Sequence, residues 1–423
     1  MHLNAFAVLR RRLFFMIQNE LIPHLFRTEF SKIVSVLCKL FGMEHAEVAE
    51  DIAAETFLKA LETWPYKGIP PNPSAWLCVV AKNKAHNYLK RQQIFTGAVA
   101  GQIKATGISI ELPEIDLSEQ NIRDSQLQML FAICHPSIST EAQIGLALRI
   151  LCGFGIEEIA DAFLSNKETI NKRLSRAREK LRAENVELTA LSNDEVRSRL
   201  QNVLTCLYLL FSEGYYSESN DAVLREELCL EAMRLTHLLV DNEQTNQPEA
   251  KALLSLMCFH ASRFAARKNK NGEIILYENQ DETLWNNELI ARGAYYLQQA
   301  SGGQQLSKYH LEASIAYWHT IKTDSPQKWE NILQLYNRLL QLEYSPIAAL
   351  NRTFALSKAN GKAEAIIEAE KLQLTNNHYY YTLLGELYSN IDNSKAKENF
   401  QRALRLAKTT VDKETLSRKL QGL

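Results

Sequence analysis

Two apolar stripes separated by a three-residue break constrain this chain more than any other stretch. Ile156, Ile159, Ala160 and Phe163 recur at i, i+3, i+4 and i+7, one face of a helix. Leu164-Ser165-Asn166 interrupts the pattern, and Ser165 and Asn166 are side chains that accept hydrogen bonds from the free N–H groups of a following helix. From Lys167 onward Ile170, Leu174, Ala177 and Leu181 recur at four, three and four residues, which predicts a second helix with an inward stripe. Thr169, Lys172, Arg173, Arg176, Lys180 and Arg182 lie mostly off that stripe. Residues 167–182 hold seven basic side chains against two acidic ones, a local net of +5. A short helix, a tight turn and a basic second helix make the pattern of a helix-turn-helix that enters the major groove of DNA. Taken alone, the segment also reads as a solvated basic face.

Upstream, Phe26, Phe30, Ile33, Val34, Leu37, Leu40 and Phe41 make a helical stripe that Gly42 ends. A second helix follows from Ala46 to Glu62, with Val48, Ile52, Phe57 and Leu61 inward and Glu47, Glu50, Asp51 and Glu55 as an acidic outer surface. Thr63 to Pro73 carries four prolines and a glycine besides Trp64 and Tyr66, and reads as a rigid loop. Ser74 is the expected cap of the next helix. That helix bears Lys82, Lys84, Lys90 and Arg91 with no acid between residues 82 and 91, interleaved with Asn83, Asn87 and Tyr88. Such a mix suits a surface that tracks a nucleic-acid backbone and offers planar groups to unstacked bases. Residues 92–121 lose periodicity, contain Gly97, Gly101, Gly107 and Pro113, and read as a flexible linker.

At 423 residues the chain has room for two or three domains. Its formal net charge of −1 means that any nucleic-acid binding rests on local patches. Seven cysteines without CxxC spacing and ten histidines without HExxH suggest reduced core thiols, no metal site and a cytoplasmic protein. No apolar run reaches the roughly 20 residues that span a bilayer, so no membrane association is expected. Leu13-Phe-Phe-Met-Ile17 after Arg10-Arg-Arg12 is too short for a secretory signal, and Met16 is an alternative start.

The order of these segments resembles that of an extracytoplasmic-function-type sigma factor, the subunit that gives bacterial RNA polymerase its promoter specificity. The motifs are Ala49-Glu-Asp-Ile-Ala-Ala-Glu-Thr-Phe-Leu58, Asn72-Pro-Ser-Ala-Trp-Leu77, Ala81-Lys-Asn-Lys-Ala85 leading to Leu89-Lys-Arg91, Gly153-Phe-Gly-Ile-Glu-Glu-Ile-Ala160 and Arg173-Leu-Ser-Arg-Ala-Arg178. Cys134-His-Pro136 and the long C-terminal extension resemble the subgroup with a fused tetratricopeptide-like tail. Cys134-His135 is read as a helix end and not as a catalytic pair.

The resemblance implies an all-α protein: two small helical sigma domains, the second a helix-turn-helix, joined by a flexible linker and followed by a solenoid of tetratricopeptide-like pairs. The implied boundaries are 1–91 for sigma region 2, 92–121 for the linker, 122–186 for region 4 and 193–423 for the repeat domain. By resemblance Glu50, Asp51 and Glu55 dock on the clamp helices of core polymerase, with region 4 near its flap. Ala54 replaces a glutamine common in the family, so one polar contact is missing. Lys82, Asn83, Lys84, Asn87, Lys90 and Arg91 would meet the −10 promoter element as it melts. Lys167, Thr169, Lys172, Arg173 and Arg176 would read the −35 element.

The tail is helical in pattern, and Tyr381, Leu384, Gly385 and Tyr388, then Ala396, Phe400 and Ala403, fit one tetratricopeptide repeat with a turn short by one residue. A looser unit runs from Trp329 to about Ala369. Arg263, Arg267, Asp281 and Arg292 read as structural ion pairs. No nucleophile–base pair, phosphate loop or metal spacing stands out in 190–423, so neither enzymatic activity nor a cofactor is expected. The tail is expected to bind a protein partner or to contact the sigma domains intramolecularly. The alternative function is a helix-turn-helix regulator with a repeat-type sensing domain, acting without polymerase.

Overall fold

The computed structural model describes residues 22, 25–99, 113–188, 192–216, 222–267, 275, 277–302, 305–407 and 410–423, and every regular element among them is helical. The N-terminal Arg10–Ile17 segment, Met16 and residues 100–112 of the predicted linker lie outside the described residues. Two compact units divide the chain, up to Thr245 and from Asn246.

The first unit is built on helix α1 (25–41) and on α2 (Ala46–Lys67). Phe26 stacks on Phe30 at 4.6 Å and meets the Phe57 edge at 5.0 Å, so the aromatic stripe of α1 faces α2. Gly42 takes φ 91, which a Cβ would strain, and ends α1 with its N–H on the Cys38 carbonyl at 2.8 Å.

The predicted loop at 63–73 is corrected over its first half: α2 continues to Lys67 with Pro65 inside it. Pro65 removes one hydrogen bond, to the Leu61 carbonyl, near a helix end where few bonds remain to lose. The fully buried Trp64 indole anchors this turn, packing edge-on against Trp76 at 5.4 Å. Gly68, at φ 84, then stops the helix. Leu61 is also corrected: it is 49% exposed, with Leu58 beside it in the open. Helix α3 (Pro73–Val99) is capped by Asn72 rather than Ser74, the Asn72 carboxamide accepting the Ala75 N–H at 3.0 Å. It runs past residue 91, where the linker is expected to begin.

Helices α4 (Glu119–Ile133) and α5 (Thr140–Leu146), the latter continued by a π-turn over Ala147–Leu151, lead into α6 (Ile156–Ala162) and α7 (Lys167–Ala183). The α6–α7 joint matches the expected one. Leu164 turns the chain at φ 47, and Asn166 caps α7 by accepting the Thr169 N–H at 2.9 Å. Ile170, Leu174, Ala177 and Leu181 are the buried residues of α7. Gly155 opens α6 with the Glu158 carboxylate accepting its N–H at 2.6 Å.

Helices α8 (Asn193–Tyr216) and α9 (Ala222–Asp241) pack on each other and on α4, α5 and α6. The first compact unit therefore runs well past residue 193, where the sequence suggests a new domain. Arg234 of α9 donates to the Leu151 carbonyl at 2.7 Å, closing the end of the π-turn. Burial pushes the Cys152 thiol far up, and the contact between the Cys134 and Cys206 thiols does the same for Cys134, so both stay neutral.

The second unit is a run of helices: α10 (Pro248–Ala261), α11 (Asn287–Ala300), α12 (Lys308–Trp318), α13 (Pro326–Leu342), α14 (Pro346–Ala359), α15 (Lys362–Leu372), α16 (His378–Tyr388), α17 (Asn393–Leu406) and α18 (Thr410–Gln421). From α12 onward each helix packs on the next in chain order. Asp281 caps the short turn Glu282–Leu284 by accepting from Thr283, and the Arg263 guanidinium lies 5.6 Å from the Tyr277 ring centre.

His319 sits edge-on to Tyr277 and Trp329, at 5.1 and 5.9 Å. Burial, with the charges of Arg263 and Lys328, pulls its pKa down to about 3. Burial also holds His260 well below the ordinary histidine range. Both stay neutral in the folded unit but take a proton on unfolding below about pH 6.5. The second unit therefore keeps full stability above that pH and loses about 1.4 kcal/mol per pH unit for each histidine on acidification. Urea unfolding followed through α12 and α13 between about pH 6.5 and 5, above the carboxylate range, checks this; a flat midpoint there contradicts it.

Candidate functional site

Helix α3 presents the first cationic surface. Asn83, Asn87, Lys90 and Arg91 are exposed, and Lys82 and Lys84 are half-buried. Ala81 and Ala85 are buried on the opposite side, so the polar set lies on one outward face. Tyr88 packs at 5.2 Å on Phe41. Of the three aromatic residues near the N-terminus of α3, Trp64 is core and Trp76 is half-buried against it. Tyr66 stands 89% exposed, the one of the three free to stack on a ligand.

Helix α7 presents the second surface. Lys167, Thr169, Lys172 and Arg176 are exposed. Arg173 is half-buried, its guanidinium 5.6 Å from the Phe163 ring centre, which orients it. Lys167 pairs with Glu157 of α6, a contact between two exposed side chains worth little in water.

The acidic set on α2 does not form one outer surface. Asp51 and Glu55 are exposed, and Glu55 accepts from Lys84 Nζ at 2.6 Å, tying the acidic and cationic sets together. Glu50 is 6% exposed. Arg149 Nε donates to Glu50 Oε2 at 2.9 Å and Arg178 Nη2 donates to Glu50 Oε1. Arg178 also reaches Glu47 at 3.5 Å, and Arg182 donates to the Glu44 carbonyl at 3.0 Å. A second junction centres on Arg27 of α1, which pairs with Glu158 of α6 and, at 3.0 Å, with Glu227 of α9. The Arg27 guanidinium also lies 4.1 Å from the Phe154 ring centre. Arg27 and Arg149 do not stand out in the sequence, and Arg178 enters only as the end of a basic motif with no role of its own. Their partners are 131, 99 and 128 positions away, so no local pattern marks these pairings.

Residues 25–94 match the sigma-70 region 2 family, and residues 199–301 match a family of unknown function, DUF6596. The chain is 31% identical over 370 residues to the uncharacterized protein R00370 of Rhizobium meliloti (strain 1021), covering 85% of this chain and 86% of that one. It belongs to that protein's family. No solved structure shows a significant match. The region 2 match supports a sigma factor acting in transcription initiation, with core RNA polymerase and promoter DNA as its partners.

Within this family member the match spans α1, α2 and most of α3. It thus contains Glu50, Asp51, Glu55 and the whole Lys82–Arg91 face; the Lys167–Arg176 face lies between the two matched stretches. Among the described residues no cluster of His, Cys, Asp or Glu could hold a metal ion, and no helix is long and apolar enough to cross a membrane.

Proposed function

We propose that the chain is a sigma factor of the extracytoplasmic-function type, whose fused helical tail governs the sigma domains or binds a partner. The region 2 match over 25–94 carries this reading, because the residues it covers bear an exposed cationic face next to exposed acids. Opening a duplex calls for positive charge along the displaced backbone and for planar groups beside extruded bases. Lys82, Lys84, Lys90 and Arg91 supply the first, Asn83, Asn87 and Tyr66 the second, at the −10 element.

Helix α7 serves as the recognition helix of a region 4 domain at 122–186. Thr169, Lys172, Arg173 and Arg176 point to base edges of the −35 element, and Lys167 points to the phosphates. Asp51 and Glu55, with Glu50 once uncovered, suit the basic coiled coil of the polymerase clamp. The buried set Tyr381, Leu384, Gly385, Tyr388, Ala396, Phe400 and Ala403 supports a tetratricopeptide-like pair in α16 and α17. No catalytic role is assigned to any residue.

The test is capture of core RNA polymerase by the purified full chain, followed by run-off transcription on genomic fragments. Initiation at a defined set of start points is the expected outcome. Tight, specific duplex binding by the chain alone, with no polymerase captured, would establish a polymerase-independent regulator in its place.

A further inference from the structure

Glu50 is the expected docking acid that solvent cannot reach. A lone carboxylate in that position would be costly to bury, and it is held there by two guanidinium groups, with Glu47 at the rim of the same cluster. Both arginines come from the helices around the helix-turn-helix joint, Arg149 from the π-turn and Arg178 from α7. Arg27 repeats the arrangement on the next face, linking α1 to Glu158 of α6 and to Glu227 of α9. Arg234 adds a hydrogen bond from α9 to the Leu151 carbonyl, beside Arg149 in the chain.

What these contacts cover is selective. Lys172 and Arg176 on α7, and Asn83, Asn87, Lys90 and Arg91 on α3, remain exposed while Glu50 is enclosed. The arginines of α7 that reach α2 and the turn just before it are Arg178 and Arg182, two and six residues beyond Arg176, the last of the groups assigned to DNA.

We propose that the described chain is in a self-masked state, in which Arg149 and Arg178 occupy the polymerase-docking carboxylate of α2 and α9 bolts the arrangement through Arg27 and Arg234. The inference rests on the sigma-factor reading and adds how that activity is restrained. Core polymerase must compete for Glu50 with two charge-assisted hydrogen bonds before it can dock, so the affinity of the free chain is reduced by the fraction that is open. The tail segment 193–241 is then a working part of the lock, since α9 supplies Glu227 and Arg234. Charge is conserved on opening: a basic surface on the polymerase replaces the arginines at Glu50, and Arg149 and Arg178 become solvated.

The full-length chain, Arg149→Gln and Arg27→Gln are compared in three measurements: affinity for core polymerase, hydrogen exchange of the α2 amides in the free protein, and affinity for an unmelted −35 duplex. Neither arginine belongs to the assigned DNA or polymerase contacts. Both variants are expected to bind polymerase about tenfold or more tightly and to exchange faster over residues 46–57, with duplex affinity changed less than about twofold. Faster α2 exchange with unchanged or weaker polymerase binding would overturn the masking role. Unchanged exchange in both variants would overturn the lock itself. Should Arg149→Gln fail to fold, as shown by loss of its cooperative melting transition, Arg27→Gln carries the test, because it breaks a separate junction. If no form captures polymerase, the sigma-factor reading fails, while the exchange data still decide whether the arginines hold α2.

Discussion

Phe400→Ala is expected to destabilise the C-terminal unit by about 3–5 kcal/mol, the range for deleting a fully buried aromatic ring. Phe400 of α17 is 1% exposed and belongs to the cluster that includes Tyr381, Leu384, Tyr388, Ala396 and Ala403. Its ring lies flat on the backbone of α16: a Cβ built on Gly385 would fall 2.7 Å from Cδ1 and Cε1. A smaller side chain therefore leaves a cavity against a helix backbone that cannot close without shifting the whole pair. The same geometry makes Gly385→Ala destabilising by about 1–3 kcal/mol through overpacking. In the double variant the alanine at 385 enters the space vacated by the ring, so the combined cost falls below the sum. Native-state hydrogen exchange of α16 and α17 amides measures all three. Additive costs would mean that the ring and Gly385 are not in contact.

Replacing Arg173 and Arg176 together by alanine is expected to remove most use of a dependent promoter. Each good base contact contributes about 1–3 kcal/mol of discrimination, and these two residues sit on consecutive outward positions of α7 at three-residue spacing. Arg173 already has its approach set by Phe163, which lowers the ordering cost when it meets a base edge. Arg173→Ala alone should relax preference at one −35 position. Lys180→Ala, exposed on the last turn, should weaken all promoters alike and reduce the salt slope by about one. Run-off transcription on a −35 mutant panel at two salt concentrations separates the cases. Equal output from every variant would exclude α7 as the reading helix.

Much of this architecture is local and was therefore legible in one dimension. The stripe Ile170, Leu174, Ala177 and Leu181 follows from 3.6-residue periodicity, and the break at Leu164–Asn166 follows from cap chemistry; both depend on residues within one turn of each other. The repeat signature of α16 and α17 is likewise a short-range pattern, and each of its positions is buried. Pro65 misled because a proline in the last turn of a helix forfeits only its own bond to the preceding turn, and the core burial of Trp64 holds the helix in place across that loss. Leu61 misled because apolar character does not say which of two faces the remaining helices will cover.

The amino-acid order by itself settled that the described chain is helical and which side of α7 turns inward, since helix spacing and capping are decided by near neighbours. Only the tertiary structure decided the fate of Glu50 and the reach of the first unit to Thr245. A carboxylate on a polar face looks the same in sequence whether water or a distant guanidinium meets it. The choice depends on arginines about a hundred positions away, brought there by packing of the apolar stripes and not by any pattern around Glu50 itself.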